Sequence, residues 1–303
     1  MADRTHSAIG LPSAPRPHDR HLAGLMLAPA VLVLFGLSLY PLIFLLRVSL
    51  TTAEGAWTLA HFSRLFQDRF FGVALLQTFA YTGVALALEF GLGLGLALLL
   101  NRQLAFRRIF RATLLLPMLL PPVVAAVIWR LIYNPNFGLL NASLAALGID
   151  TSNWLWIAGQ QSALLSVILV DVWEWTPFMF LLLLAGLQSL PVEPYEAAKI
   201  DGASAWQTFR DITWPLLKPI VLVAVLLRIL DLLRVFDQIF ILTQGGPGFA
   251  TETASLYIYR NAFRFFNFGY AAALSLALLA LTTAVSLWLV RLLRGRALAP
   301  GTE

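Results

Sequence analysis

The sequence contains no cysteine and only four histidines in 303 residues, and these shortages exclude several kinds of chemistry. Without cysteine the chain can form no disulfide and no iron–sulfur cluster, and it has no thiol nucleophile. The histidines lie in the N-terminal region and one loop, and no pair has the spacing of zinc ligands; they are His6, His18, His21 and His61. We therefore expect neither thiol chemistry nor a metal site.

Charged side chains are also scarce. They make up 12% of the chain, whereas 59% of the residues are hydrophobic and the mean hydropathy is +0.78. Soluble domains do not have this composition, so we predict an all-α protein that crosses a lipid membrane several times. The sequence also has no G-x-x-x-x-G-K-[ST] segment for ATP, no H-E-x-x-H and no serine nucleophile motif. We expect no catalytic residue and no cofactor bound by the chain itself.

Six apolar runs each come close to the ~20 residues that a membrane-spanning helix requires. Pro121 and Pro122 interrupt the third run, and we predict a break there because proline removes a backbone donor. Residues 1–21 are polar and contain several prolines, which favours a disordered tail. The predicted spans cover residues 22–48, 72–100, 109–132, 162–188, 216–242 and 270–290 of a transmembrane domain at 22–293, followed by a C-terminal tail at 294–303.

The placement of Lys and Arg predicts the orientation of these spans. The N-terminal region, the second and fourth loops and the C-terminal end hold most of the basic residues outside the spans. Because such residues concentrate on the cytoplasmic side, both termini and the fourth loop are predicted to be cytoplasmic. The basic bias of the chain, +5 in net charge, is thus a sign of membrane topology and not of nucleic-acid binding. The opposite loops hold Arg64, Arg69, Arg260 and Arg264.

The fourth loop, residues 189–216, carries the most specific pattern in the chain. Pro194 suits the first turn of a short helix, and Gly202 is a natural helix stop. A second helix can follow over residues 203–212, with Trp206 and Phe209 on one face. Apolar groups on a cytoplasmic surface usually indicate that a partner covers them. The loop contains the spacing E-A-A-x3-G-x9-I-x-x-P, formed by Glu196, Ala197, Ala198, Gly202, Ile212 and Pro215.

This spacing resembles the signature loop of permease subunits of binding-protein-dependent ABC importers. The flanking segments LLLLAGLQSLPVEPYEAAKIDGASAWQTF and FDQIFILTQGGPGFATET are similar to the sugar-permease branch, of the maltose, trehalose and glycerol-phosphate type. The resemblance implies a type I importer fold in which six transmembrane helices carry a cytoplasmic coupling helix. It also implies that the loop docks on an ATPase, through Glu196, Ala197, Ala198, Asp201, Gly202, Ile212 and Pro215.

The same resemblance implies the partner subunits of the chain. A second homologous permease, a dimer of ATP-binding subunits and an extracytoplasmic solute-binding protein would complete the importer. ATP and Mg²⁺ would then bind the ATPase partner, and this chain would be a transporter subunit and not an enzyme. It would lie in the bacterial cytoplasmic (inner) membrane and move a carbohydrate or related solute inward.

Charged residues inside the spans are costly in lipid, so they indicate a bundle interior or a water-filled path. In the fifth span Arg228, Asp231, Arg234 and Asp237 alternate in sign at steps of three, and each neighbouring pair can form an ion pair. In sugar permeases these stretches of the helices that flank the signature loop line the cavity. Aromatic rings and carboxylates also suit carbohydrates. The predicted substrate path comprises Asp171, Glu174, Trp175, Phe178, Arg228, Asp231, Leu232 and Val235.

Two questions stay open at the level of the sequence. The intramembrane charges can be substrate ligands or structural ion pairs, and Arg228 leaves an anionic solute possible among sugars, polyols and glycerol phosphate. A secondary transporter would use buried carboxylates for protons or cations, but it predicts inverted repeats that the sequence does not show. A membrane scaffold would not explain charges in the middle of the spans. Neither alternative accounts for the spacing of the signature loop.

Overall fold

The computed structural model describes residues 17–101, 106–151 and 154–297, and this part of the chain is almost entirely helical. One isolated antiparallel bridge joins Thr51 to Trp57. The first half of the chain forms α1 (Pro17–Ser49), α2 (Ala60–Gln67), α3 (Arg69–Leu100), α4 (Arg107–Leu115), α5 (Pro122–Ile132) and α6 (Leu139–Ala146). The second half forms α7 (Ala163–Gln188), α8 (Glu193–Ile200), α9 (Ala205–Thr208), α10 (Trp214–Leu232), α11 (Asp237–Leu242), α12 (Ala254–Phe263) and α13 (Phe268–Ala297).

Four of the described helices are long and apolar enough to cross a membrane: α1, α3, α7 and α13. They correspond to the first, second, fourth and sixth predicted spans. The predicted tail boundaries need correction, because α1 already begins at Pro17 and α13 continues to Ala297. Residues 1–16 and 298–303 of the predicted tails lie outside the described part.

The third predicted span is divided, as its prolines indicate. Helix α4 ends at Leu115, a 3₁₀ turn covers Pro117–Leu119, and α5 starts at Pro122. Pro121 is extended, with ψ 140°, because the residue before a proline disfavours the helical region. The predicted break at Pro121-Pro122 is therefore confirmed.

The fifth predicted span is also divided, and here the prediction of one continuous helix is wrong. Helix α10 ends at Leu232, and α11 begins only at Asp237. In the intervening backbone, the amides of Arg234 and Val235 each donate a hydrogen bond to the carbonyl three residues earlier, which forms a tight turn. The hydroxyl of Thr253 donates to the freed carbonyl of Val235 at 3.3 Å. No proline or glycine lies in this turn, so it is tertiary packing that ends the helix.

The long helices α3 and α7 pack against each other along much of their length, and α10 packs on both. A methyl group on Gly93 would lie 2.7 Å from Cβ of Met179, so only glycine permits this approach of α3 to α7. Gly186 plays the same part between α7 and α10, where an added Cβ would lie 2.9 Å from side-chain atoms of Leu217 and Ile220. The close approach brings the polar groups of three helices within hydrogen-bonding distance.

Asp68 joins three helices at one end of the bundle. It caps α3 by accepting from the amides of Phe70 at 2.9 Å and Phe71 at 3.2 Å. It also accepts from the hydroxyls of Tyr257 on α12 and Tyr270 on α13, both at 2.6 Å. Partial burial raises the pKa of this carboxyl, but the four hydrogen bonds outweigh that effect and lower it overall. The end of α3 is thus fixed to α12 and α13.

Candidate functional site

The signature loop consists of two short helices separated by one glycine. Helix α8 has Glu193 and Glu196 in its first turn, where they complement the positive end of the helix. Gly202 follows the helix with φ +73°, a left-handed conformation that side chains disfavour. Both the predicted proline start at Pro194 and the predicted glycine stop are confirmed.

The second helix of the loop is not separate from the fifth span. Ser204 and Gln207 cap α9 reciprocally, with bonds of 3.3 Å and 2.8 Å between side chain and backbone. A π turn at Phe209–Thr213 then leads without interruption into α10. The predicted helix over 203–212 therefore starts later and continues, and Ile212 and Pro215 belong to one helical run with α10.

The loop presents an apolar groove of about 640 Å³ beside the end of α3. Trp206 is 66% exposed and stacks on Phe209 with ring centroids 5.8 Å apart. The hydroxyl of Tyr195 on α8 donates to Thr213 at 3.1 Å, which joins the two helices of the loop. Of the predicted coupling residues, Ala198 is buried and Ile212 is partly buried, while the exposed ones are Glu196, Ala197, Asp201, Gly202 and Pro215.

A buried ion cluster lies where α3, α7 and α10 meet. The Arg228 guanidinium donates through Nε to Glu89 at 2.5 Å and through one terminal nitrogen to the same carboxylate at 2.9 Å. It also donates to Asp171 on α7 and to Asp231 one turn later on α10. Arg228 is 1% exposed and Glu89 is 0% exposed. A buried cation needs such pairing, because an unpaired charge in the interior is very costly.

A second polar contact extends the cluster toward α11. Gln238 donates to Glu174 at 2.7 Å and accepts from the hydroxyl of Tyr81 at 3.0 Å. All three side chains are buried. Sequence reasoning did not single out Tyr81 or Gln238, although a lone amide in an apolar run is a usable signal. These bonds hold α3, α7 and α11 together beside the turn that ends α10.

A cavity of about 110 Å³ opens next to the ion cluster. Six of the eight residues predicted for the substrate path line it, whereas Glu174 and Phe178 do not. Glu174 points to Gln238, and Phe178 packs edge-on against Trp175 with centroids 6.2 Å apart. The lining consists of Pro122, Asp171, Trp175, Arg228, Asp231, Leu232, Arg234, Val235, Phe236, Asp237 and Gln238.

The predicted ladder of ion pairs along the fifth span is wrong beyond its first step. Arg228 and Asp231 are paired, but among the described ion pairs neither Arg234 nor Asp237 takes part. The Nε of Arg234 instead donates to the carbonyl of Leu230 at 2.9 Å. The helical register ends at Leu232, so side chains three residues apart no longer share one face.

The cavity wall combines an aromatic ring, hydrogen-bond acceptors and a shielded cation. The Arg228 guanidinium lies over the ring of Trp175, 4.9 Å from the ring centroid, so the guanidinium covers part of the aromatic face. Asp231 is the open member of the cluster, with 56% of its side chain exposed. Within the described ranges no group of three or more His, Cys, Asp or Glu could hold a metal ion. The arrangement suits binding through hydrogen bonds and ring contacts.

Comparison with known proteins gives one consistent result. Residues 89–297 match the family described as "Binding-protein-dependent transport system inner membrane component". The trehalose/maltose transport system permease protein MalF of Thermococcus litoralis is 42% identical over 239 residues, which cover 78% of this chain and 79% of that protein. The trehalose transport system permease protein SugA of Mycobacterium tuberculosis is 35% identical, and the alignment covers 100% of this chain and 98% of that protein.

A solved structure agrees with the sequence relatives. The crystal structure of a bacterial alginate ABC transporter, in complex with alginate pentasaccharide-bound periplasmic protein, contains a chain that is 25% identical to this one. The two chains superpose with a TM-score of 0.79 over 90% of this chain and 93% of that one. The family match includes both the signature loop and the ion cluster. The chain therefore belongs to the inner membrane components of binding-protein-dependent transport systems, as an ABC importer permease.

Proposed function

We propose that this chain moves a carbohydrate inward across the bacterial inner membrane, driven by ATP hydrolysis on a separate subunit. One observation carries the proposal: α9, the π turn and α10 form a continuous helical run from the signature loop to the cavity. A push on the loop therefore acts directly on the helix that holds Arg228 and Asp231. The relatives named for trehalose and maltose support the class of solute.

The proposed complex contains a second homologous permease, two ATPase subunits and an extracytoplasmic solute-binding protein. The solved alginate importer, which was crystallised with its periplasmic protein, supports the last of these partners. The groove at Trp206 and Phe209 offers apolar surface for an ATPase subunit, with Glu196, Asp201 and Gly202 exposed beside it. ATP and Mg²⁺ bind that subunit and not this chain, whose sequence has no P-loop.

The proposed orientation places α8 and α9 in the cytoplasm, together with both ends of the chain. The basic residues of the second and fourth loops support it. The connection between α5 and α6 and the turn between α11 and α12 then face the outside, where the binding protein delivers the solute. The cavity beside Arg228 lies between these two sides, on the path that the solute follows.

Purification and transport together test this proposal. Affinity purification of the full chain from its native membrane should bring down two ATPase subunits and a second permease. After reconstitution into vesicles with the binding protein, labelled trehalose or maltose should accumulate only with ATP. Vanadate should stop the uptake, and a protonophore should not. Uptake that needs no ATPase and collapses with the proton gradient would show a secondary transporter instead.

A further inference from the structure

The ion cluster leaves Arg228 almost no capacity to bind a solute anion. Its guanidinium has five N–H donors, and four of them are used by Glu89, Asp171 and Asp231. The side chain is 1% exposed, and Trp175 lies against it. An anionic group in the cavity would therefore have to compete with three carboxylates for a cation that it can hardly reach.

The surface that does face the cavity is acidic. Asp171, Asp231 and Asp237 line it, against the two cations Arg228 and Arg234. Glu89 adds a further carboxylate directly behind Arg228, so the formal charge around the cavity is negative. Asp231 is 56% exposed, and Asp237 is also exposed. Their oxygens can accept from solute hydroxyl groups, whereas they repel a carboxylate, sulfonate or phosphate.

Arg234 is the one cation of the cavity lining outside the described ion pairs, and acidic residues lie on both sides of it in the sequence. It is exposed, and its Nε is already bonded to the carbonyl of Leu230. Asp231 precedes it by three residues and Asp237 follows by three, and both line the same cavity. Any anion that approached Arg234 would therefore also approach two exposed carboxylates.

We propose that this cavity selects uncharged or cationic polyhydroxy solutes and rejects anionic ones. The specificity-determining residues are Asp231 and Asp237, while Glu89 and Asp171 act by keeping Arg228 neutralised. This inference rests on the proposed function, since it names the class of carbohydrate that the importer carries. The sequence alone left open whether Arg228 binds an anionic solute. Because Arg228 is held in the ion cluster, it is not an anion receptor.

The absence of native cysteine allows a direct measurement of the charge preference. Val235→Cys would place a thiol on the cavity wall, and Asn136→Cys would place one on an exposed loop as control. Each purified full-length variant is treated with ethyl methanethiosulfonates of equal chain length that carry a neutral hydroxyl, a cationic trimethylammonium or an anionic sulfonate. All three react with the thiolate, so the ratio of their rates cancels any change in thiol ionisation.

We expect the anionic reagent, relative to the neutral one, to react about tenfold or more slowly at position 235 than at position 136. Asp231→Asn combined with Asp237→Asn in the Val235→Cys chain should remove most of that difference. Phe236→Cys provides a second thiol on the cavity wall if the first variant does not fold. Equal relative rates at both sites, or faster reaction of the anionic reagent in the cavity, would overturn the proposal.

Failure of every reagent to reach the cavity would overturn it as well, because a closed cavity cannot select a solute. The labelling requires neither ATP nor a partner subunit, so it is independent of the transport assay. A chain that carries no carbohydrate can still show the charge preference. Conversely, ATP-driven uptake of trehalose without any charge preference would refute this inference and leave the proposed function intact.

Discussion

At the scale of single residues, the pairing of carboxylates with Arg228 explains why costly charged groups lie inside the bundle. One guanidinium binds carboxylates from three helices, so each helix contributes a group that the others need. Such clusters are weak evidence for stability as a whole, but they are sensitive to the loss of one member. The central member and the peripheral members should therefore respond differently to substitution.

Arg228→Met should destabilise the chain strongly. It would leave Glu89 and Asp171 buried next to each other without a counter-charge, at a cost of about 3–5 kcal/mol. We expect a clear fall in melting temperature and in the yield of detergent-stable protein. Arg234→Met is the matched control in the turn that follows the same helix, because Arg234 is exposed and outside the cluster. Equal losses in both variants would contradict the account.

Asp231→Ala tests the other half of the same account. It would leave Arg228 bound to Glu89 and Asp171, so the chain should still fold and assemble while transport falls. A collapse of the folded protein in Asp231→Ala would mean that Asp231 is mainly a structural ion-pair partner. Yield of the complex measured beside uptake separates these outcomes.

The sequence predicts only part of this cluster, for a geometrical reason. Arg228 and Asp231 are three residues apart on one helix, so helical spacing alone predicts their contact. Glu89 and Asp171 lie 139 and 57 residues away from Arg228, and nothing in local spacing brings them together. The approach of α3 to α7 at Gly93 is what makes the contact possible, and it becomes visible only in the packed structure.

At the scale of elements, local chemistry predicts some helix ends and misses others. Pro121-Pro122 and Gly202 act through their own backbones, so the sequence predicts the breaks at those positions. The turn between α10 and α11 contains neither proline nor glycine. It depends on tertiary contacts such as the hydrogen bond from the hydroxyl of Thr253 to the carbonyl of Val235. A hydropathy pattern does not detect that turn, because Leu232, Leu233, Val235 and Phe236 continue the apolar run across it.

The connection between α11 and α12, outside the predicted spans, contains a second unusual carboxyl. Glu252 is fully buried, and Arg260 lies 3.0 Å from its Oε2. Burial raises its pKa to about 7, although Arg260 and Arg264 oppose the shift. An added Cβ at Gly245 would lie 2.1 Å from the same carboxylate oxygen, so the glycine turn and the carboxyl fit closely together.

We predict that this carboxyl makes the folded protein less stable at higher pH. Its pKa of about 7 exceeds the ordinary value of 4.5, so the folded state binds the proton more tightly than the unfolded chain. Its contribution is fully present below about pH 4.5 and is lost as the pH rises through about 7. Melting curves of the native chain should shift down between pH 5.5 and 8, and those of Glu252→Gln should shift much less. An identical pH profile in the two proteins would contradict the assignment.

At the scale of the whole molecule, the composition and the signature loop already predict the class of protein. Hydropathy predicts a chain that crosses the membrane several times, and the loop spacing predicts the family, because both depend on residues that are near one another in the chain. The packing of α1 is different: it lies along α13 with most of its side chains from Met26 onward exposed. A surface of this kind can face lipid or the proposed second permease, and no local pattern distinguishes them.

The orientation of the chain is testable with single cysteines. Asn136→Cys, in the connection between α5 and α6, should react in intact cells with a maleimide that cannot cross membranes. Ala205→Cys, at the start of α9, should react only after the membrane is opened; both positions are exposed. Labelling of Ala205→Cys from outside intact cells would reverse the topology and remove the proposed ATPase contact.

The coupling of the signature loop to transport is the central claim, and Gly202 tests it most directly. In Gly202→Val the new side chain has open space around it, but the valine must adopt a left-handed backbone conformation. This strain costs about 1–3 kcal/mol of conformational free energy. Gly55→Val is a matched control, since Gly55 has φ +85° and open space but lies in the turn between α1 and α2. The measurement is ATP-driven uptake of labelled solute by the reconstituted importer, normalised to assembled complex. We predict a loss of about tenfold or more for Gly202→Val and near-normal uptake for Gly55→Val. Normal uptake by Gly202→Val would contradict the account.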